Sequence, residues 1–190
     1  MRASKMVYGR GGRWTELRSV TTPMEVSTIR VAKENNIAYI QIQGKGSFHN
    51  APPVKTFCQE MLREAITHFV VDLKGCTYMD STFLGTLAGL AIQLKQKGGT
   101  LYLINAGSHN LEIMKNLGLH RLPAIAMRPL SSKPRQLKEL PDQSLEQRST
   151  AEHMLEAHET LLQIDPANVA KFKDVVAYLK EDLSQSAEKR

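Results

Sequence analysis

An acid and two adjacent hydroxyls, Asp80, Ser81 and Thr82, stand at the point where the chain's pattern turns helical, in the stretch YMDSTFLGTLAGL from Tyr78 to Leu90. Two chemistries suit them there. Asp and Ser are among the commonest N-terminal helix caps, because their oxygens accept the unpaired N–H groups of the first turn. A hydroxyl in a first turn is also a phosphate acceptor that a kinase can reach, and the helix dipole tolerates the negative charge. The other reactive side chains assemble nothing comparable. Gly44-Lys45-Gly46 lacks the spacing and the following Ser or Thr of a phosphate-binding loop. His153 and His158 are five residues apart, so they do not stack on one helical face as a metal pair would, and packing or exposure is the expectation for both. Asp72 and Asp80 flank a strand and a loop with no partner for acid–base work. Cys58 and Cys76 form no CxxC and read as buried thiols. The expectation is a protein that is not an enzyme, with no metal or cofactor.

The elements that position this motif follow from periodicity. STIRVA and IAYIQIQ alternate around an Asn35-Asn36 turn, with Ala38, Ile40 and Ile42 on one face, which predicts an antiparallel hairpin. Asn50 with Pro52 and Pro53 starts a helix whose apolar positions are Val54, Phe57, Cys58, Met61, Leu62 and Ala65. His68–Leu73 reads as a central strand and Ser81–Lys97 as a helix striped by Leu84, Leu87, Ala88, Ala91 and Leu94. Thr100–Ala106 is a strand, Ser108 caps a helix that Gly118 ends, and Leu122–Met127 is a short last strand. The order β-β-α-β-α-β-α-β predicts an α/β fold with a mixed sheet and helices packed on it.

Composition limits the rest. The 190 residues are 42% hydrophobic and 23% charged, which suits one domain with appended segments. No run is long enough for a membrane span and no signal peptide opens the chain, so a cytoplasmic protein without membrane association is expected. Of the net charge of +6, most comes from the first 23 residues, where Arg2, Lys5, Arg10, Arg13 and Arg18 face only Glu16. Residues 1–25 therefore read as a basic, disordered leader, and direct nucleic-acid binding is not expected despite the Arg-Gly stretch at Gly9–Trp14. Met24 is a second candidate start.

Beyond residue 128 a polar segment with three prolines, 129–148, reads as a linker or partly ordered strap. A helical hairpin is expected over 149–184. Ser149 and Glu152 fit a capping box, and Met154, Leu155, His158, Leu161 and Leu162 share a face. Val169, Phe172, Val176, Leu179 and Leu183 stripe the second helix. Two short helices cannot bury both stripes alone, so the hairpin is expected to dock on the main domain, on a second copy as a homo-oligomer, or on a partner.

The stretch from Tyr78 to Leu119, following HFVVDLKGC, resembles the STAS family, the anti-sigma-factor antagonists of bacteria. The resemblance covers residues 26–128 and implies a STAS-like mixed sheet with packed helices. It also implies a non-enzymatic switch in signal transduction. The unmodified protein binds a serine/threonine-kinase anti-sigma factor; the kinase phosphorylates a hydroxyl of the Asp-Ser-Ser/Thr motif, and a metal-dependent phosphatase removes it. Residue by residue, Asp80 matches the motif aspartate, Ser81 the first hydroxyl, and Thr82 the phosphoacceptor, with Ser81 the second choice and otherwise the cap. Leu84 and Gly85 match the following Leu-Gly. Phe83 replaces a small residue and is expected on the partner surface, outside the core. Ser47 stands where many members carry an aspartate. The partner surface expected is thus Ser47, Asp80, Ser81, Phe83 and Gly85. Two alternatives stay open, a scaffold subunit of a larger signalling assembly and a nucleotide- or lipid-binding domain.

Overall fold

The computed structural model describes residues 6–8, 14–16, 27–127, 134, 136–141 and 147–188. Of the leader, only β1 (Met6–Tyr8) and β2 (Trp14–Glu16), an antiparallel pair, are described; the rest of the expected disordered segment lies outside the described residues.

The main unit runs β3 (Thr28–Glu34), β4 (Ile37–Gly46), α1 (Ala51–Arg63), β5 (His68–Met79), α2 (Ser81–Gln96), β6 (Thr100–Ile104), α3 (Ser108–Asn116) and β7 (Ile125–Ala126). This is the order that periodicity predicts. Asn35 and Asn36 both take positive φ, 50° and 60°, which makes the two-residue turn whose twist suits a hairpin. β3 and β4 pair antiparallel, whereas β4, β5, β6 and β7 pair parallel, each step crossing over through a helix. With β8 (Lys138–Glu139) added at the edge of β3, the sheet order is β7-β6-β5-β4-β3-β8.

Alternation sorts the sheet's side chains. Ala38, Ile40 and Ile42 join Phe69, Val71, Leu73, Leu101 and Leu103 in the main core, together with Val54, Phe57, Cys58 and Met61 of α1. Tyr39, Val70 and Ile104 form a smaller cluster, against which Leu137 packs. Asn50 and the prolines open α1 as expected. Ala65 is exposed instead of buried, because α1 ends at Arg63 and Ala65 turns with φ 59°, and Ile66 is buried in its place.

Two elements outrun their sequence signals. β4 continues through Gly46 and β5 through Met79, pairing Gly44 with Cys76 after one register shift and Gly46 with Met79 after a second. These shifts mark bulges that bend the paired strands towards the start of α2. At that start Phe83 has no solvent exposure and belongs to the main core, contrary to the expected place on a partner surface. The stripe counted from Leu84 misplaced it. About 100° of turn per residue groups Phe83 with Leu87, Leu90 and Leu94, and this face looks into the sheet. Gly46 passes directly over the ring: a Cβ there would lie 2.8 Å from Phe83 Cδ1.

The C-terminal hairpin is present as α4 (Gln147–Ile164) and α5 (Ala167–Glu188). Ser149 lies inside α4, so it is not the expected cap, and Gly107 rather than Ser108 precedes α3. In α5, Val176 and Leu179 are buried as expected, whereas Val169 is 45% exposed. The hairpin docks on its own domain. Leu161 is fully buried in the main core, and Ile164 and Phe172 pack against that core.

Because Phe83 fills space between α2 and the end of β4, Phe83→Ala is expected to destabilise the fold by about 3–5 kcal/mol, the usual cost of a large-to-small core change. Urea denaturation measures it; a loss below about 1 kcal/mol would return the ring to the surface.

Candidate functional site

The corner where β4 and β5 end is built around the Asp80 carboxylate. Asp80 N–H donates to the Gly46 carbonyl at 3.0 Å, which ties the end of β5 to the end of β4. One carboxylate oxygen accepts from Phe83 N–H at 2.8 Å and caps α2; the other accepts from Phe48 N–H, also at 2.8 Å. The cap is therefore Asp80 rather than Ser81. A carboxylate does this better, since it meets two donors at once and adds favourable charge to the helix N-terminus. The Ser47 loop is held by Asn50, whose side chain accepts from Ser47 N–H at 2.7 Å and donates to the Lys45 carbonyl at 2.8 Å. Ser47, Asp80, Ser81 and Gly85 are thus assembled at one end of α2.

Thr82 is 2% exposed and Ser81 is half-buried. Turning by about 100° per residue puts Ser81, Gly85 and Gly89 on the side of α2 away from Phe83, with Thr82 and Thr86 on the flank beside them. Every one of them is small or hydroxylated, and α4 lies along this stripe. Ser81 Oγ is 2.9 Å from His158 Nε2, and Thr86 Oγ1 is 3.0 Å from His153 Nε2. Between these pairs Gly85 meets the backbone of Ala157 so closely that any Cβ would collide with the Ala157 carbonyl. Glycine is required there by the approach of two helix backbones.

The tautomers follow from the second nitrogen and the hydroxyls. His158 Nδ1 lies 2.7 Å from the Met154 carbonyl, an acceptor only, so it carries the proton and Nε2 accepts from the Ser81 hydroxyl. Thr86 Oγ1 donates to the Thr82 carbonyl at 2.9 Å, which leaves its lone pair to accept from His153 Nε2–H. Burial pushes the His153 imidazole down to about 4; the Lys55 charge pushes the same way and Glu156 opposes it. Lys55 and Glu156 also pair across the rim of the α1–α4 groove. Burial alone pushes the Cys58 thiol up to about 12, and the Cys76 thiol is raised as well, so neither is a nucleophile.

The far end of the hairpin is latched separately. The fully buried Asn168 donates to the carbonyls of Leu117 and Leu161 at 3.0 and 2.9 Å, and Arg121 pairs with Asp165 at 2.8 Å. His153, Ala157 and His158 were not among the site residues expected from sequence. Their signal is complementarity: His153, Ala157 and Leu161 repeat every four residues opposite the small stripe of α2. Among the described residues no three or more His, Cys, Asp or Glu side chains gather as a metal site, and no helix is long and apolar enough to cross a membrane.

A mixed sheet with this crossover order and an Asp-Ser-Thr corner at α2 defines a class of domain. The STAS domain family matches residues 28–132, more than half of the chain, and the chain belongs to that family. The hairpin lies beyond the matched segment. Solved structures are similar to this chain at low identity. An anti-sigma factor antagonist from Mycobacterium paratuberculosis is 17% identical, over 54% of this chain and 86% of that one, with a TM-score of 0.47. The anti-sigma factor antagonist SpoIIAA in its unphosphorylated form is 16% identical, over 53% and 89%, with a TM-score of 0.45. The Bacillus cell fate determinant SpoIIAA in its phosphorylated form is 17% identical, over 52% and 91%, with a TM-score of 0.44.

A histidine held neutral in the fold stabilises it above the ordinary value of about 6.5; as pH falls towards 4 the unfolded chain takes up the proton first, and that stability is lost. Between pH 7 and 4.5 the native protein is expected to lose about 1–2 kcal/mol more than His153→Gln, which keeps a donor for Thr86 but does not titrate. Urea midpoints of the two proteins measure the difference; parallel losses would place the imidazole in water.

Proposed function

We propose that this chain is a non-enzymatic interaction module of the anti-sigma-factor antagonist type, switched by phosphorylation at the start of α2. The observation that supports it most is the corner itself: a family member's Asp-Ser-Thr motif whose aspartate is committed to capping α2 and holding the Ser47 loop, with the half-buried Ser81 and the buried Thr82 following it in the first turn. Unmodified, the chain binds a serine/threonine-kinase anti-sigma factor through the Ser47 loop, Ser81, Thr82 and Gly85. Phe83 contributes by setting the height of that surface from within the core. Thr82 is the acceptor of the phosphoryl group, Ser81 the second choice, and a metal-dependent phosphatase reverses the step.

Phosphate adds about −1.5 to −2 charge beside Asp80. The α2 N-terminus accommodates it, whereas a partner packed on Thr82 has to desolvate it, so affinity falls far more than stability. Calorimetry of the full chain against the kinase that co-purifies with it from its native cell tests this. Phosphorylation at Thr82 is expected to weaken binding by at least a hundredfold, and Thr82→Ala to bind constitutively. Equal affinities of modified and unmodified chain would overturn the switch.

A further inference from the structure

The surface assigned to a partner is occupied by the chain's own α4. We propose that the small-residue stripe of α2 is a helix-docking surface whose resident occupant is the α4–α5 hairpin, a built-in competitor that withholds Ser81 and Thr82 until it undocks. The proposal rests on the function proposed above, and it names the regulation of that same site.

Mutual exclusion follows from dimensions. At 2.9 Å, the gap between Ser81 Oγ and His158 Nε2 is one hydrogen bond wide, so a phosphoryl group on that oxygen has no room with α4 in place. Thr82, next to Ser81 and only 2% exposed, cannot enter a kinase active site while so buried. A partner helix reaching Gly85 has to occupy the volume of Ala157. The surface therefore selects its competitor's chemistry: a helix with a small residue opposite Gly85, flanked by groups that hydrogen-bond the hydroxyls of Ser81 and Thr86.

Separation is compatible with the intact domain. Over the switch residues the contacts are hydroxyl–imidazole pairs around one alanine, whose polar groups water re-satisfies once α4 leaves, whereas Leu161, fully buried in the main core, has to be withdrawn with the helix. The large apolar side chains of α2, Phe83 and Leu87 among them, face the sheet and stay covered by it. The remaining hold is at the hairpin's tip, away from the switch, where Ile164 and Phe172 pack against the core and Asn168 latches onto the α3 corner.

The test uses the full chain carrying Thr82→Cys, a change close to isosteric, and the rate at which this thiol reacts with 5,5′-dithiobis(2-nitrobenzoic acid). The native Cys58 and Cys76 are buried and react slowly. Adding His158→Ala and Asn168→Ala, both off α2, is expected to accelerate labelling at position 82 at least tenfold while hydrogen exchange across β4 and β5 stays unchanged. His158→Ala alone gives a smaller rise in the same direction. Unchanged labelling, or acceleration matched by equal loosening of β4 and β5, overturns the competitor. A kinase arm, run on chains that keep Thr82, with and without His158→Ala and Asn168→Ala, separates this from the function itself. If the undocked chain labels fast yet the co-purifying kinase modifies neither chain, the occlusion stands and the switch fails; if the kinase modifies docked and undocked chains at one rate, the switch stands and the competitor is overturned.

Discussion

The approach of α2 and α4 at Gly85 and Ala157 sets what the rest of the molecule can be. Two helix backbones meet there without a side chain between them, which requires small residues along α2 and fixes α4 in register over Ser81 and Thr86. Because another face of α2 carries Phe83, Leu87 and Leu94 into the sheet, the helix is covered on two sides and nine of its 16 residues are buried. A helix so placed transmits whatever happens on one face to the other only through its ends. Asp80 governs the end that matters, since its single carboxylate joins the cap of α2 to the loop after β4.

The division of labour between the faces also separates stability from recognition. The sheet-facing side is a packed apolar core, where a lost ring leaves a cavity. The α4-facing side pairs Ser81 and Thr86 with two imidazoles before Leu161 enters the core, and a hydrogen bond exchanged for water changes free energy by only about 0.5–1.5 kcal/mol. The stripe is therefore suited to changing occupants. The family match ends before α4 begins, so the cover is an addition to the domain whose corner it closes.

Much of this was legible in local pattern. The Asn35-Asn36 turn, the alternation of Ala38, Ile40 and Ile42, the prolines before α1 and Gly118 after α3 each act within a few residues, and the element order follows from them. What failed depends on distant neighbours. Lys74–Met79 does not read as strand because its pairing comes from the glycine-containing end of β4. Phe83 was assigned to the surface because a helix buried on both sides has little periodicity to count. His153 and His158 read as exposed or ordinarily packed; their partners lie 67 and 77 positions earlier, so the four-residue repeat of His153, Ala157 and Leu161 gains its meaning only opposite α2. Asp80 and Ser81 were both good caps by type; the Phe83 N–H that donates to Asp80 decides between them, and the Phe48 N–H adds a second donor that only the fold brings near.

The central claim is that the hairpin is a separable cover and not part of the domain's cooperative core, and native-state hydrogen exchange on the unmodified full chain measures it most directly. The account predicts that amides of α4, from Ala151 to Leu161, exchange through an opening that costs well under the free energy of global unfolding, while β4 and β5 open only globally. If α4 amides exchange only with β4 and β5, at the same free energy and with the same denaturant dependence, the hairpin is a fixed part of the fold and the surface beneath it is not a switch.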